Sequence, residues 1–141
     1  MKALQQIIFT GVLCFGLFIQ AHAAIAVIVN PDNETQFDER TVRQIFLGQI
    51  KTFPDGSVAR TYDNLDSNDL RSAFIRKVLR RNESTMNAYW ARMIFTAKAT
   101  PPQELENSER VIKTVAANKN AISYIDSNDV DSSIRVVVTI E

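Results

Sequence analysis

Cysteine and histidine each occur only once in this chain, at Cys14 and His22. Both lie before Ala23, after which we predict that a leader is cut. The mature chain would then contain neither residue, which excludes disulfides, thiolate nucleophiles, Cys/His zinc sites and His-based triads. Gly11-Val12-Leu13 makes a poor lipoprotein signal before Cys14, so we interpret Cys14 as an incidental apolar residue, with lipidation as the alternative.

Glycine is also scarce, with four in the whole chain, and no phosphate loop, nucleophile elbow or metal motif is found. The segment Asp126–Asp131 is similar to a calcium loop but lacks its required Gly and closing Glu. A paired-carboxylate hydrolase needs two carboxylates on either side of a cleft. Asp63, Asp66 and Asp69 fit a polar loop and helix cap better. We therefore predict no enzymatic activity, no catalytic residues, no metal and no cofactor.

No excess of charge of either sign is present, because 16 basic side chains face 16 acidic ones. Losing residues 1–23 would remove one of them, Lys2. This near-neutral balance argues against a nucleic-acid or anionic-membrane binder. The length is that of one domain that can form its own core.

The only long apolar run lies near the start. Lys2 precedes an uncharged stretch from Ile7 to Ile19, and Ala21-His22-Ala23 follows as a small-x-small cleavage site. This pattern predicts a signal peptide over residues 1–23, because the run is shorter than the roughly 20 residues that a transmembrane helix needs. We expect an exported, periplasmic domain over residues 24–141, without membrane insertion after cleavage.

Strand and helix patterns alternate along that domain. β-branched apolar runs predict strands, and apolar residues at helical spacing predict helices. The predicted strands are Ile25–Val29, Ser57–Tyr62, Ala121–Ile125 and Ile134–Ile140, and the predicted helices run from Asp38 to Gly48, from Asn68 to Arg81, from Ser84 or Thr85 onward and from Ser108 to Asn118. The order predicts an α/β fold, a mixed sheet flanked by helices, with Thr96–Gln103 as a loop.

Several residues are predicted to fix the helices. We expect Asp38 and either Asp66 or Ser67 to be N-caps, and Gly48 to end the first helix. Tyr89, Trp90, Met93 and Ile94 have the spacing of a buried stripe. Ligand sites in such folds tend to lie where a strand end meets a helix N-terminus, which here is the corner Tyr62–Arg71.

One segment has a distinctive sequence, Ile45-Phe46-Leu47-Gly48-Gln49-Ile50-Lys51-Thr52-Phe53-Pro54-Asp55-Gly56. It resembles the Ile-Phe-Leu-Gly-x-Ile-x-x-Trp-x-Asp stretch of the phosphate-binding proteins of bacterial phosphate ABC transporters. The segments Tyr89–Thr96, Lys98–Pro102 and Asn120–Ile125 resemble a short, single-domain branch of the same family. The resemblance implies about one lobe of a type II periplasmic binding protein.

The family's anion loop is similar only in part. Its pattern Arg-x-Asp-Gly-Ser-Gly-Thr corresponds to Tyr62–Asp69, where Ser67 matches and Asp63 stands in place of the Arg. Ala97, Ala99 and Ser123 replace glycines that the short branch usually has. Only Ser67 is carried over by the resemblance. From the residues themselves we predict an anion site at the helix N-terminus with Ser67 and Asn68, in which Arg71 and Lys98, with Arg92 as a further candidate, would supply the missing counter-charge.

Two functions from different classes follow. The first is a solute-binding protein for a small oxyanion, phosphate being the first guess, which delivers its ligand to an ABC permease. The second is an interaction or assembly component of the cell envelope that no longer holds a small molecule. A single lobe favours the second, because closure around a ligand needs two lobes, whereas the resemblance favours the first.

Overall fold

The computed structural model describes residues 24–141, and the predicted signal peptide lies outside the described residues. The strands are β1 (Ile25–Val29), β2 (Arg60–Asn64), β3 (Gln103–Leu105), β4 (Ala121–Asp126) and β5 (Arg135–Ile140). The helices are α1 (Glu39–Phe46), α2 (Asn68–Lys77), α3 (Glu83–Phe95) and α4 (Ser108–Ala117), with a 3₁₀ turn at Ser127–Asp129. None of the helices in this part of the chain combines the length and apolar character required to cross a membrane.

The five strands form one mixed sheet in the order β3-β2-β4-β1-β5. β2 is parallel to β3 and β4, whereas β1 is antiparallel to both β4 and β5. The predicted α/β class with a mixed sheet is therefore confirmed. The carboxyl ends of β2, β3 and β4 share one edge, here called the carboxyl edge, and their amino ends share the opposite one, the amino edge.

Helices cover both faces of the sheet because its interior strand β1, between β4 and β5, is apolar at every position. Ile25, Val27 and Val29 belong to the core beneath α1, α2 and α3, and Ala26 and Ile28 belong to the core beneath α4. All five are at most 1% exposed.

The caps of α1 agree with the prediction. The side chain of Asp38 accepts a hydrogen bond from Thr41 N at 2.8 Å, and Gly48 has a φ of +67°. A Cβ on Gly48 would lie 2.6 Å from the Ala99 Cβ, so both the backbone conformation and the packing require glycine here.

Two predicted boundaries shift. β2 begins at Arg60, because Val58 instead forms an isolated bridge with Thr52. α2 ends at Lys77, not at Arg81. Arg80 takes a φ of 55°, and Arg81 N donates back to Ile75 O at 3.1 Å, which closes the helix.

α3 differs from its prediction at its start. Its N-cap is Asn82, which accepts from Thr85 N at 2.7 Å. The buried stripe ends early, since Ile94 is 57% exposed and Phe95 92% exposed. The predicted loop that follows is wrong at its end, because Gln103 begins the short strand β3.

Candidate functional site

The predicted ligand corner lies at the carboxyl edge, where β2 leads directly into α2. Ser67 is the N-cap, and its Oγ accepts from Leu70 N at 3.4 Å while its carbonyl accepts from Arg71 N at 3.1 Å. The backbone N–H groups of Asn68 and Asp69 have no hydrogen-bond partner within residues 24–141. These two donors at a helix N-terminus are the corner's potential anion contacts.

Arg71 lies in the same turn, but its guanidinium is already ion-paired with a carboxylate of the protein. Its Nε donates to Asp63 Oδ2 at 2.8 Å, and the other Asp63 oxygen accepts from the Tyr124 hydroxyl. Burial would lower the pKa of Arg71, but the hydrogen bond and charge of Asp63 outweigh it and raise that pKa. Burial, followed by the charge of Asp63, raises the pKa of Tyr124, so its hydroxyl remains a donor. The guanidinium is thus neutralised within the protein.

Asn64, which the sequence analysis did not single out, holds this corner in place. Its Nδ2 donates to Ser108 Oγ and to Tyr124 O, both at 3.1 Å, and its Oδ1 accepts from Asp66 N at 3.0 Å. Asn64 is completely buried. One amide therefore ties β2 to β4, α4 and the loop before α2, so the corner is rigid.

Carboxylates surround the corner. Asp66 and Asp129 both line two neighbouring cavities, one of about 740 Å³ beside α4 and one of about 520 Å³ beside α2. Partial burial, and then the charges of Asp126 and Asp66, raise the pKa of Asp129. The raised pKa reflects burial first and the neighbouring charges second, and the cluster of carboxylates itself disfavours a phosphate dianion at the carboxyl edge.

Lys98 is not part of this corner. It lines a separate cavity of about 520 Å³ together with Lys51, Val58 and Ile94. These residues flank the amino ends of β2 and β3, so the cavity lies at the amino edge. The structure thus brings Ser67, Asn68 and Arg71 into one helical turn and places Lys98 on the far side of the sheet.

Metal chemistry has no support in the part of the chain that the structure describes. Over residues 24–141, three or more Asp or Glu side chains never come together in a geometry that would hold a metal ion. The carboxylates of the carboxyl edge act instead as caps and ion-pair partners. Asp126, for example, accepts from Asn128 N at 2.8 Å.

A family model described as a PBP superfamily domain matches residues 20–138. The chain belongs to the PBP superfamily. No curated protein sequence matches it. Membership agrees with the resemblance found in the sequence and with the arrangement of the sheet and helices.

Solved structures similar to this PBP-superfamily chain are phosphate receptors by their own descriptions. A phosphate ABC transporter substrate-binding protein from Clostridium perfringens, crystallised with bound phosphate, matches with a TM-score of 0.63 and 22% identity over 82% of this chain and 45% of that one. An ABC-type phosphate transport receptor from Vibrio cholerae matches with 0.62 and 16% identity over 82% and 46%. PstS from Borrelia burgdorferi matches with 0.56 and 14% identity over 82% and 47%.

The chain spans less than half the length of each of these proteins. At such identities the likeness shows the fold, and the expected architecture of about one periplasmic-binding-protein lobe is confirmed. Which ligand, if any, the PBP-superfamily lobe holds depends on its own residues at the corner.

Proposed function

We propose that this chain is an interaction module of the cell envelope, built on a solute-binding lobe, and not a phosphate receptor. The observation that carries this is the Arg71–Asp63 pair, whose atoms lie 2.8 Å apart. Arg71 is the only cation in the first turn of α2, and it is paired with Asp63, which also accepts from the Tyr124 hydroxyl. A dianion would have to bind beside a carboxylate that already holds the Arg71 Nε and is itself only 16% exposed.

The surroundings support the same function. Asp66 and Asp69 flank the α2 N-terminus, and a carboxylate there already interacts favourably with the helix dipole. A rigid lobe with a self-neutralised corner suits binding to another protein better than capture of a solute.

Export and the absence of catalysis belong to this proposal. Cleavage after Ala23 would release residues 24–141 into the periplasm, where the partner would be an envelope protein. The similar solved structures are named as transport proteins and not as enzymes, and the Ser67 hydroxyl of the corner accepts from Leu70 N as an N-cap. Nucleic acid is not a partner, because the charge balance is near neutral.

Oxyanion binding remains a second candidate because one observation favours it. The amides of Asn68 and Asp69 have no partner in the described chain, and the similar Clostridium protein was crystallised with phosphate. In this case Ser67 and Asn68 would contact the anion, Arg71 would have to share its charge between the anion and Asp63, and an ABC permease would be the partner. Lys98 would take no part, because it lies at the amino edge.

Thermal unfolding distinguishes the interaction module from the oxyanion receptor. The exported protein is measured with and without phosphate or sulfate, at matched ionic strength. We expect no selective shift in Tm. A receptor with its ligand present at 100 times the Kd would gain about 2.7 kcal/mol in free energy of unfolding. This corresponds to a rise in Tm of several degrees for a domain of this size. A shift that disappears in the Ser67→Ala/Arg71→Ala variant would contradict the proposal and establish the anion site.

A further inference from the structure

Five large apolar side chains of the described chain are notably exposed, and they lie at the two ends of the sheet. Val58, Ile94 and Phe95, at 52%, 57% and 92%, are at the amino edge. Leu65 and Val130, at 41% and 38%, are at the carboxyl edge. Exposed apolar residues collected in this way mark interaction surfaces.

The amino-edge residues border a groove, here the amino-edge groove, lined among others by Ile45, Lys51, Val58, Ile94, Lys98 and Thr100. Its volume is about 520 Å³. The two lysines are its only charged lining residues, and neither forms an ion pair within residues 24–141. An occupant should therefore present an apolar side chain next to carboxylates.

The carboxyl edge of the same chain presents such a segment, Asp129-Val130-Asp131, here the acidic tip. The loop is preformed, since Asp126 accepts from Asn128 N at 2.8 Å and Asp131 accepts from Ser133 N at 2.8 Å. Val130 lies between its two acidic neighbours with an extended backbone. Asp66 adds a further negative charge beside the tip.

We infer that copies of this chain associate head to tail, with the acidic tip of one copy seated in the amino-edge groove of the next. This deepens the proposed function, on which it rests, by naming the partner as a second copy. The groove and tip lie on opposite edges of strands that are five or six residues long, about 17–20 Å apart. Each copy therefore uses two different surfaces, a heterologous contact that closes into a ring or extends as a filament.

Three physical features favour this occupant. Apolar side chains would meet at the centre with opposite charges around them, and the loop of the acidic tip is already held by its own hydrogen bonds, so little ordering of that loop is needed on binding. The chain as a whole is near neutral, so net repulsion between copies does not oppose association.

The test uses the exported protein, expressed from the full sequence and followed by sedimentation velocity over a range of concentrations. We expect a mass that rises with concentration beyond a dimer and falls between about 0.02 and about 0.3 M NaCl, as screening requires. A groove variant, Lys51→Glu/Lys98→Glu, and a tip variant, Asp129→Asn/Asp131→Asn, should each weaken association about tenfold or more. The Asn side chains retain the acceptor oxygens that shape the loop, and circular dichroism checks folding.

Mixing the two variants gives the decisive measurement. The groove variant keeps an intact tip and the tip variant keeps an intact groove, so the mixture should form a 1:1 dimer and stop. A wild-type protein that stays monomeric, or variants that do not restore a dimer when mixed, would overturn the self-association. In that case the proposed interaction module would stand with a different partner. That proposal is tested separately, by the Tm measurement with phosphate and sulfate.

Discussion

Gly48 shows at the scale of one residue how the segment that resembles phosphate receptors is constrained. Its φ of +67° and the 2.6 Å that would separate an added Cβ from the Ala99 Cβ act together. We predict that Gly48→Ala lowers the free energy of unfolding by about 2–4 kcal/mol, the sum of left-handed backbone strain and overpacking. Urea unfolding measures this change.

Two variants separate those contributions. Gly56 has a φ of +88° but no atom within 4 Å of the added carbon, so Gly56→Ala should cost only the strain, about 1–2 kcal/mol. Adding Ala99→Gly to Gly48→Ala removes the clash and should recover the difference. If the double variant were as unstable as Gly48→Ala, contact with Ala99 would not be the cause.

Single residues with local signals were predictable from the sequence. Asp38, Ser67 and Gly48 act on neighbours within a few positions, and all three have the predicted roles. Asn64 and the Asp63–Arg71 pair depend on partners brought together by the fold, such as Tyr124, which is 61 positions from Asp63. No spacing rule could have found them.

Elements are joined by polar side chains as well as by apolar packing, and Asn30 is the clearest case. Its Nδ2 donates to the carbonyls of Val115 and Ala116, at 3.0 and 2.8 Å, and so caps the C-terminus of α4. Asn30 is 5% exposed. Asn30→Ala should cost about 1–3 kcal/mol because two buried carbonyls lose their donor.

Asn30→Asp tests whether this contact requires a hydrogen-bond donor facing the two carbonyls. A carboxylate there would face carbonyl oxygens and the negative end of the helix dipole, so at neutral pH it should be less stable than Asn30→Ala. The folded-state pKa of the introduced Asp would be raised. The charged carboxylate therefore lowers the free energy of unfolding above the ordinary Asp pKa of about 3.9, and this loss shrinks as the pH falls. Urea unfolding at pH 7 and near pH 4 measures both variants. Equal stability at pH 7 would mean that Asn30 does not cap α4.

Element types were more predictable than element ends. The apolar patterns of β1, α1 and α4 are long enough to be unambiguous. β3 has three residues and forms only by pairing with β2, so nothing local indicates it. α3 continues to Phe95, and its Ile94, which helical spacing alone assigns to the core, is 57% exposed.

At the scale of the whole molecule, the two cores share one sheet. β1 and β4 contribute alternate residues to both, for example Ile122 to the core under α1–α3 and Ile125 to the core under α4. Neither helical layer can separate without exposing strands that also support the other. One lobe should therefore behave as one cooperative unit.

We predict that Trp90 fluorescence and far-ultraviolet circular dichroism report the same thermal transition. The chain has one Trp, packed on the core under α1–α3, whereas circular dichroism reports all layers.

Val27→Ala and Ile28→Ala lie on opposite faces and should each cost about 2–4 kcal/mol, with both signals shifted equally. The heat-capacity change should be about 1.4–1.8 kcal/mol/K for residues 24–141. If Ile28→Ala moved the dichroism transition alone, the α4 layer would unfold separately, and a lobe that loses one layer could not hold the acidic tip rigid for a neighbouring copy.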